Sequence, residues 1–166
     1  MSPVSTVQAG RCPMFRGLMN KDRAFVAFSW AKSFYYSHWC GPWTEDEYWP
    51  LIRLKLDKFL ADPDFKALLC VNPSDPDHIF GFAVHSPGDI PTLHYLYVKH
   101  PFRDHKCADE KPRIAIKMLR ELGMADGKRF NYTFRTRAWD KFSLTWRLNG
   151  HYDPGIIRND RKKEDR

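Results

Sequence analysis

Residues 97–119 read YVKHPFRDHKCADEKPRIAIKML. A strand ends at Val98, a basic turn follows, and an amphipathic helix begins. Ile114, Met118 and Leu122 fall on one helical stripe, Ala115 and Leu119 widen it, and Gly123 stands where a C′ glycine belongs. A strand that turns directly into a helix aims the unpaired first amides of that helix at the turn, where they favour an anion. Diphosphate-binding turns of this kind are normally rich in glycine, because glycine lets the backbone come close to the phosphate. Residues 97–119 contain none. Arg103, Lys106, Lys111 and Arg113 supply side-chain charge instead, while Asp104, Asp109 and Glu110 oppose it. The stretch is either a cradle that uses side chains in place of glycine, or a basic surface loop.

The flanking sequence places this turn. Upstream, TLHYLYV (92–98) is almost wholly apolar or aromatic, as a central strand is. FKALLCV (65–71) and HIFGFAVHS (78–86) are strand-like runs joined by the turn-rich NPSDPD. Further back, MFRGLM (14–19) reads as a first strand. Asn20–Ser37 reads as a helix capped by Asn20 or Asp22, with Val26, Trp30 and Phe34 recurring every four residues. TEDE (44–47) has the capping-box spacing of a second helix, which Pro50 either kinks or restarts. Downstream, RFNYTFRTR (129–137) alternates as a strand, with Phe130, Tyr132 and Phe134 on one side. A short helix follows, capped by Asp140 and stopped by Asn149-Gly150, and HYDPGII (151–157) is a last strand. The order is strand, two helices, three strands, helix, strand, helix, strand: an α/β layout around one central sheet. Residues 1–12 read as a loose arm, 13–157 as one domain and 158–166 as a charged tail.

The 166 residues suffice for one hydrophobic core. Aromatic residues make up 15%, a supply suited to lining pockets. The net charge of +7 favours anionic partners without choosing among them. The four cysteines, at 12, 40, 70 and 107, form no CxxC pair and read as free thiols in a reducing cytoplasm. No apolar run is long enough to span a membrane, and no signal-peptide core opens the chain.

Several motifs test negative. WCGPW (39–43) lacks the second cysteine that thiol–disulfide exchange needs. GxSxG is absent, and the HxC pairs at 38–40 and 105–107 lack the HxE and PCxxC of a zinc deaminase, so no metal site is expected. The basic segments carry no helix-turn-helix, finger or RNP signature of a nucleic-acid module.

On Leu96, Val98, Pro101 and Arg103, the segment YLYVKHPFR resembles the central strand and turn of the GNAT N-acetyltransferase superfamily. IFGFAVHS is similar to the strand before it, and FVAFSWAKSF to the first helix of a small subgroup, some of them viral. As an order of elements the resemblance spans 14–157; about 25 residues carry it in sequence. It implies a single-domain GNAT-like α/β fold, with a central mixed, mostly antiparallel sheet flanked by helices. It also implies an acyl-CoA, such as acetyl-CoA, held by Leu96, Tyr97, Val98, Arg103, Lys106, Arg113, Ile114 and Ala115. Two alignments are possible. Counted straight on from Arg103, Lys106 replaces a motif glycine, Ala108 fits, and Pro112 falls inside the helix at a cost of about 3 kcal/mol. With KCADEKP as an insertion, Pro112 reaches the first helical turn and Arg113 stands in for a glycine; the second is preferred.

The implied activity is acyl transfer to an amine by direct attack on the thioester, with an amide near Val98 as the carbonyl's donor. The candidate bases are His94, read on the face of Leu96 and Val98, and Glu47. The family's usual thiolate acid is a tyrosine four residues before the glycine after the late helix. Here that position is Trp146, which leaves Tyr132 and Tyr152 as substitutes. The acceptor is a protein or a small amine, and Trp30, Trp39, Trp43, Tyr48 and Trp49 fall where the family builds one wall of its site. The first alternative is a GNAT-shaped protein without catalysis that docks on a partner, a host protein if the chain is viral. The second is a nucleic-acid binder. The expected location is the cytoplasm.

Overall fold

The computed structural model describes residues 12–37, 41–104 and 113–154. Residues 1–11 of the N-terminal arm, Trp39, Cys40, Lys106, Cys107, Pro112, residues 155–157 of the expected last strand and the charged tail lie outside the described residues. Among the described residues six strands form one sheet in chain order: β1 (Met14–Gly17), β2 (Lys66–Asn72), β3 (Asp75–Ser86), β4 (Thr92–Val98), β5 (Phe130–Tyr132) and β6 (Gly150–Tyr152). The first three pairings are antiparallel; β4–β5 and β5–β6 are parallel. Helices α1 (Arg23–Tyr35) and α2 (Glu45–Ala61) pack together, and Trp30 of α1 stacks on Tyr95 of β4 at 5.2 Å. Phe25 of α1 meets Phe82, which packs on Tyr97. Alternation leaves Leu96 and Val98 to the other face, where α3 (Ile114–Glu121) crosses β2, β3 and β4. Helix α4 (Arg137–Thr145) follows β5, and its Trp139 packs on Phe130, Tyr132 and Phe134, the three residues whose alternation puts them on one side.

The local chemistry explains most boundaries. The capping box forms: Glu47 N–H donates to the Thr44 hydroxyl, and the Glu47 carboxylate accepts from Thr44 N–H at 3.1 Å. Pro50 therefore lies inside α2 and does not start it. Gly123, with φ +69°, closes α3: Met124 N–H reaches the Leu119 carbonyl at 2.7 Å and Gly123 N–H the Arg120 carbonyl at 3.0 Å.

The strand read over 129–137 spans only Phe130–Tyr132, and three helix boundaries also differ from the sequence reading. Asn20–Asp22 form a 3-10 turn, and neither residue caps α1 with its side chain. Helix α4 is capped by Thr136, whose hydroxyl accepts from Trp139 N–H at 3.0 Å, because the Asp140 carboxylate is taken by Arg135 at 3.0 and 3.3 Å. The same helix stops at Arg147, in the left-handed region at φ 49°, while Gly150 belongs to β6.

Asp22 is buried because it anchors β1. Its carboxylate accepts from Arg16 at 2.6 and 3.0 Å and from Met19 N–H at 2.9 Å. Arg16 also donates to the Pro76 carbonyl at 3.0 Å, tying β1 to the start of β3. The Arg16 hydrogen bond holds the Asp22 carboxyl below its usual range. Asp22→Asn removes the charge that faces the half-buried Arg16 guanidinium, which keeps its bond to the Pro76 carbonyl, and is expected to cost about 2 kcal/mol of unfolding free energy by urea titration. The wild-type contribution is present above the unfolded carboxyl's pKa of about 4 and is lost as pH falls through the lower folded value.

Candidate active site

The sheet splits at one place. Thr92 and Leu93 pair with Asn131 and Tyr132, Thr133 N–H still reaches the Leu93 carbonyl at 3.1 Å, and beyond that β4 and β5 diverge. A bulge prepares the split. Val84 faces Tyr95 and His85 faces Leu93, so His94 is the extra residue on β4. The bulge reverses which amides face which neighbour. Lys99 N–H donates to Phe80 on β3 at 2.8 Å, so the amides of Leu96 and Val98 point away from β3 and into the gap that β5 has left.

That gap is a cleft of about 740 Å³. Residues 95–98 of β4 form its floor, and Arg103, Arg113 and Ala115 form the α3 side. Facing them, α4 contributes the stripe Arg137, Lys141 and Thr145, with Phe142 and Trp146 beside it. Ser33, Tyr36 and Ser37, from the end of α1, close one end. Four cations thus line the walls, and no carboxylate or imidazole does so among the described residues. Arg103 donates to the Val98 carbonyl at 3.0 Å, which fixes the turn to the end of the strand, and Arg113 pairs with Asp104 at 3.4 Å. Arg113 is also the N-cap of α3 without side-chain capping, and the first backbone acceptor inside the helix is used by Ile116, so the amides of Ile114 and Ala115 remain for an outside acceptor. Helix α3 starts at Ile114, and the expected place of Pro112 in its first turn falls outside the described residues. Deep in the cleft, burial pushes the Tyr95 phenol up to about 12, and its oxygen lies 2.8 Å from the Ser33 hydroxyl.

The structure brings together Leu96, Tyr97, Val98, Arg103, Arg113 and Ala115 around this cleft. Ile114 is buried beneath it, and Lys106 lies outside the described residues. The proton-transfer candidates are placed elsewhere. His94 does not share the face of Leu96 and Val98: the bulge turns its ring toward Phe65 and toward Phe59 of α2, at 4.7 and 5.7 Å. Its ring nitrogens meet the hydroxyls of Ser86 at 2.8 Å and Thr133 at 3.2 Å. Tyr152 and His94 line a second, smaller cavity, and Tyr132 packs at a tilt against Tyr152 and Trp139. Glu47 is exposed and held in its capping box by Thr44, whose hydrogen bonds lower its pKa. Of the tryptophans, Trp30 lines the second cavity, Trp43 is exposed and Trp49 stacks on the exposed Phe28. Sequence reading missed Arg137 and Lys141, whose four-residue spacing was the available signal, and the Ser33–Tyr95 contact, which has none.

Burial, and secondarily the charge of His85, pushes His94 down to about 4. An imidazole that is neutral in the fold but protonates at about 6.5 when unfolded adds stability at neutral pH. That stability is lost as pH falls from about 6.5 to 4 and levels off below it. Urea titrations across this window are expected to show a loss of about 3 kcal/mol, largely absent in His94→Gln.

No family model matches the chain, and no curated protein matches it in sequence. Among solved structures it is similar to a GCN5-related N-acetyltransferase from Rhodopseudomonas palustris, at 18% identity and a TM-score of 0.48, over 83% of this chain and 82% of that one. It is similar to the PaiA N-acetyltransferase from Thermoplasma acidophilum in complex with coenzyme A, at 18% identity and a TM-score of 0.43, over 67% and 69%. A ribosomal-protein-alanine N-acetyltransferase from Brucella melitensis is similar at 13% identity and a TM-score of 0.42, over 92% and 90%.

Proposed function

We propose that the cleft holds an acyl-CoA and that the protein transfers the acyl group to an amine. The observation that carries this reading is the pair of strand amides, Leu96 and Val98, turned into the gap between β4 and β5 beside a cationic helix start. Amides fixed in this way match the polar backbone of an extended pantetheine arm and the oxygen of a thioester. The free amides of Ile114 and Ala115, with Arg103 and Arg113, suit the diphosphate. The donor set therefore fits the ligand without a glycine.

In this reading the amine nitrogen bonds to the thioester carbon, the C–S bond breaks, and the proton lost by the amine ends on the thiolate. The Val98 amide donates to the carbonyl oxygen as negative charge grows there. Tyr95, neutral and anchored by Ser33, shapes the floor near that point. His94 and Tyr152 border the second cavity, so in proton transfer they would meet the acceptor and not the thioester.

A cleft that binds CoA without turnover is the second reading. It is favoured by Trp146, whose indole lines the cleft and has no proton to exchange in this role. Thiol release from acetyl-CoA, measured against a panel of amines, separates the two. Amine-dependent release supports transfer; release no faster than the uncatalysed rate, in protein that binds CoA, supports the second reading.

A further inference from the structure

Behind the cleft, toward α1 and α2, lies the second cavity, of about 230 Å³. Its walls are aromatic: Trp30, Phe34, Phe59 and Phe134, with Trp30 and Phe59 meeting edge to face at 6.0 Å. His94 adds a neutral polar edge whose nitrogens are already engaged. The exposed lining residues are Lys55 and Tyr152, which marks where the cavity opens to solvent. Arg135 lines it too, sharing its charge with Asp140 and lying 5.7 Å over the Tyr152 ring. No carboxylate lines it among the described residues.

One layer of side chains separates this cavity from the cleft. Phe134 lines both. Tyr95, on the cleft side, stacks on Trp30 at 5.2 Å and packs on Phe134 at 5.0 Å. The layer stands where β4 and β5 part, so no ladder of hydrogen bonds closes the way between them. A molecule in the cavity, which has its own mouth, is separated from the cleft floor by the side chains of Tyr95 and Phe134 alone. That arrangement suits a second substrate that arrives while the first fills the cleft.

We infer that this cavity takes the acceptor, and that the acceptor is a small amine built on an aromatic ring and carrying a carboxylate, the chemistry of an aromatic amino acid. The inference rests on the acyl-transfer reading of the cleft. Three observations select this class. The volume is below the roughly 300–1,000 Å³ of pockets for drug-sized ligands and suits one ring with short arms. The walls offer stacked and edge-on partners for a flat group. The charged side chains at the mouth, Lys55 and Arg135, are both cationic, which favours a carboxylate over a polyamine or a lysine-rich peptide.

The test is calorimetry on the full chain with three probes: 3-phenylpropionate (ring and carboxylate), 2-phenylethylamine (ring and amine) and spermidine (amines alone). Coenzyme A is titrated into the same samples. Ile52→Trp fills the cavity, and Lys55→Glu, at an exposed position, reverses charge at the mouth without touching the core. The expected order is 3-phenylpropionate tightest and spermidine weakest, with the first lost in Ile52→Trp and weakened about fivefold or more in Lys55→Glu. Phenylalanine is then N-acylated by the wild type and not by Ile52→Trp. Tighter binding of either cationic probe overturns the proposal, and so does 3-phenylpropionate binding that neither variant weakens. Coenzyme A binding without 3-phenylpropionate binding sinks the acceptor assignment alone. The converse result sinks the acyl-CoA reading, and the acceptor role falls with it.

Discussion

Val98→Pro is expected to lower the rate of acyl transfer by about 10²–10³-fold while leaving coenzyme A affinity unchanged. Proline removes the amide hydrogen, fixes φ at about −65° and gives up part of the buried valine side chain. The Val98 amide faces the cleft, and the neighbouring bond to β3 is made by Lys99 N–H to the Phe80 carbonyl at 2.8 Å, which the substitution spares. Residue 97 is already extended, as the residue before a proline prefers. Val98→Ala keeps the amide and loses buried side-chain contacts, so it serves as the control. Steady-state thiol release on both variants, with melting curves to establish folding, gives the answer. Equal losses in the two variants would mean that the side chain, not the amide, matters.

A stability effect of comparable weight is expected at Gly81. A Cβ built there lies 2.5 Å from the Tyr97 carbonyl oxygen and 3.1 Å from Val98 Cα. Both are backbone atoms of β4, so no side chain can swing away, and β3 and β4 must move apart. Gly81→Ala is expected to cost about 3 kcal/mol, a fall of roughly 6–12 °C in Tm for a chain of this size. The displaced strand is the floor of the cleft, so coenzyme A binding weakens as well. Gly17→Ala, where nothing lies within 4 Å of the added carbon, is the matched control and should be close to neutral.

These effects were unequally legible in the sequence. Strands β2 to β4, the Thr44–Glu47 box and the Gly123 stop follow from local chemistry, and the structure shows each of them. The order of elements was readable for the same reason. The bulge at His94 was not, because no glycine marks it and it is set by the pairing of β4 with β3. One extra residue then reversed the face of His94 and sent the Leu96 and Val98 amides into the cleft, so a strict alternation of two misplaced the candidate base. At α4 the error was competition for a side chain. Asp140 has the chemistry of a cap, but Arg135 holds it, and Thr136 caps instead. Starting the helix three residues late hid the Arg137–Lys141 stripe. Arg103 and Arg113 could be found because they flank a turn defined by its neighbours; the opposite wall of the cleft is brought in by folding alone.

The most direct measurement is a calorimetric titration of coenzyme A into the purified chain, repeated with an Arg103→Ala/Arg113→Ala variant shown by circular dichroism to be folded. The account predicts one site of micromolar affinity in the wild type, weakened about tenfold or more in the variant. A folded wild-type chain that takes up no coenzyme A would contradict it.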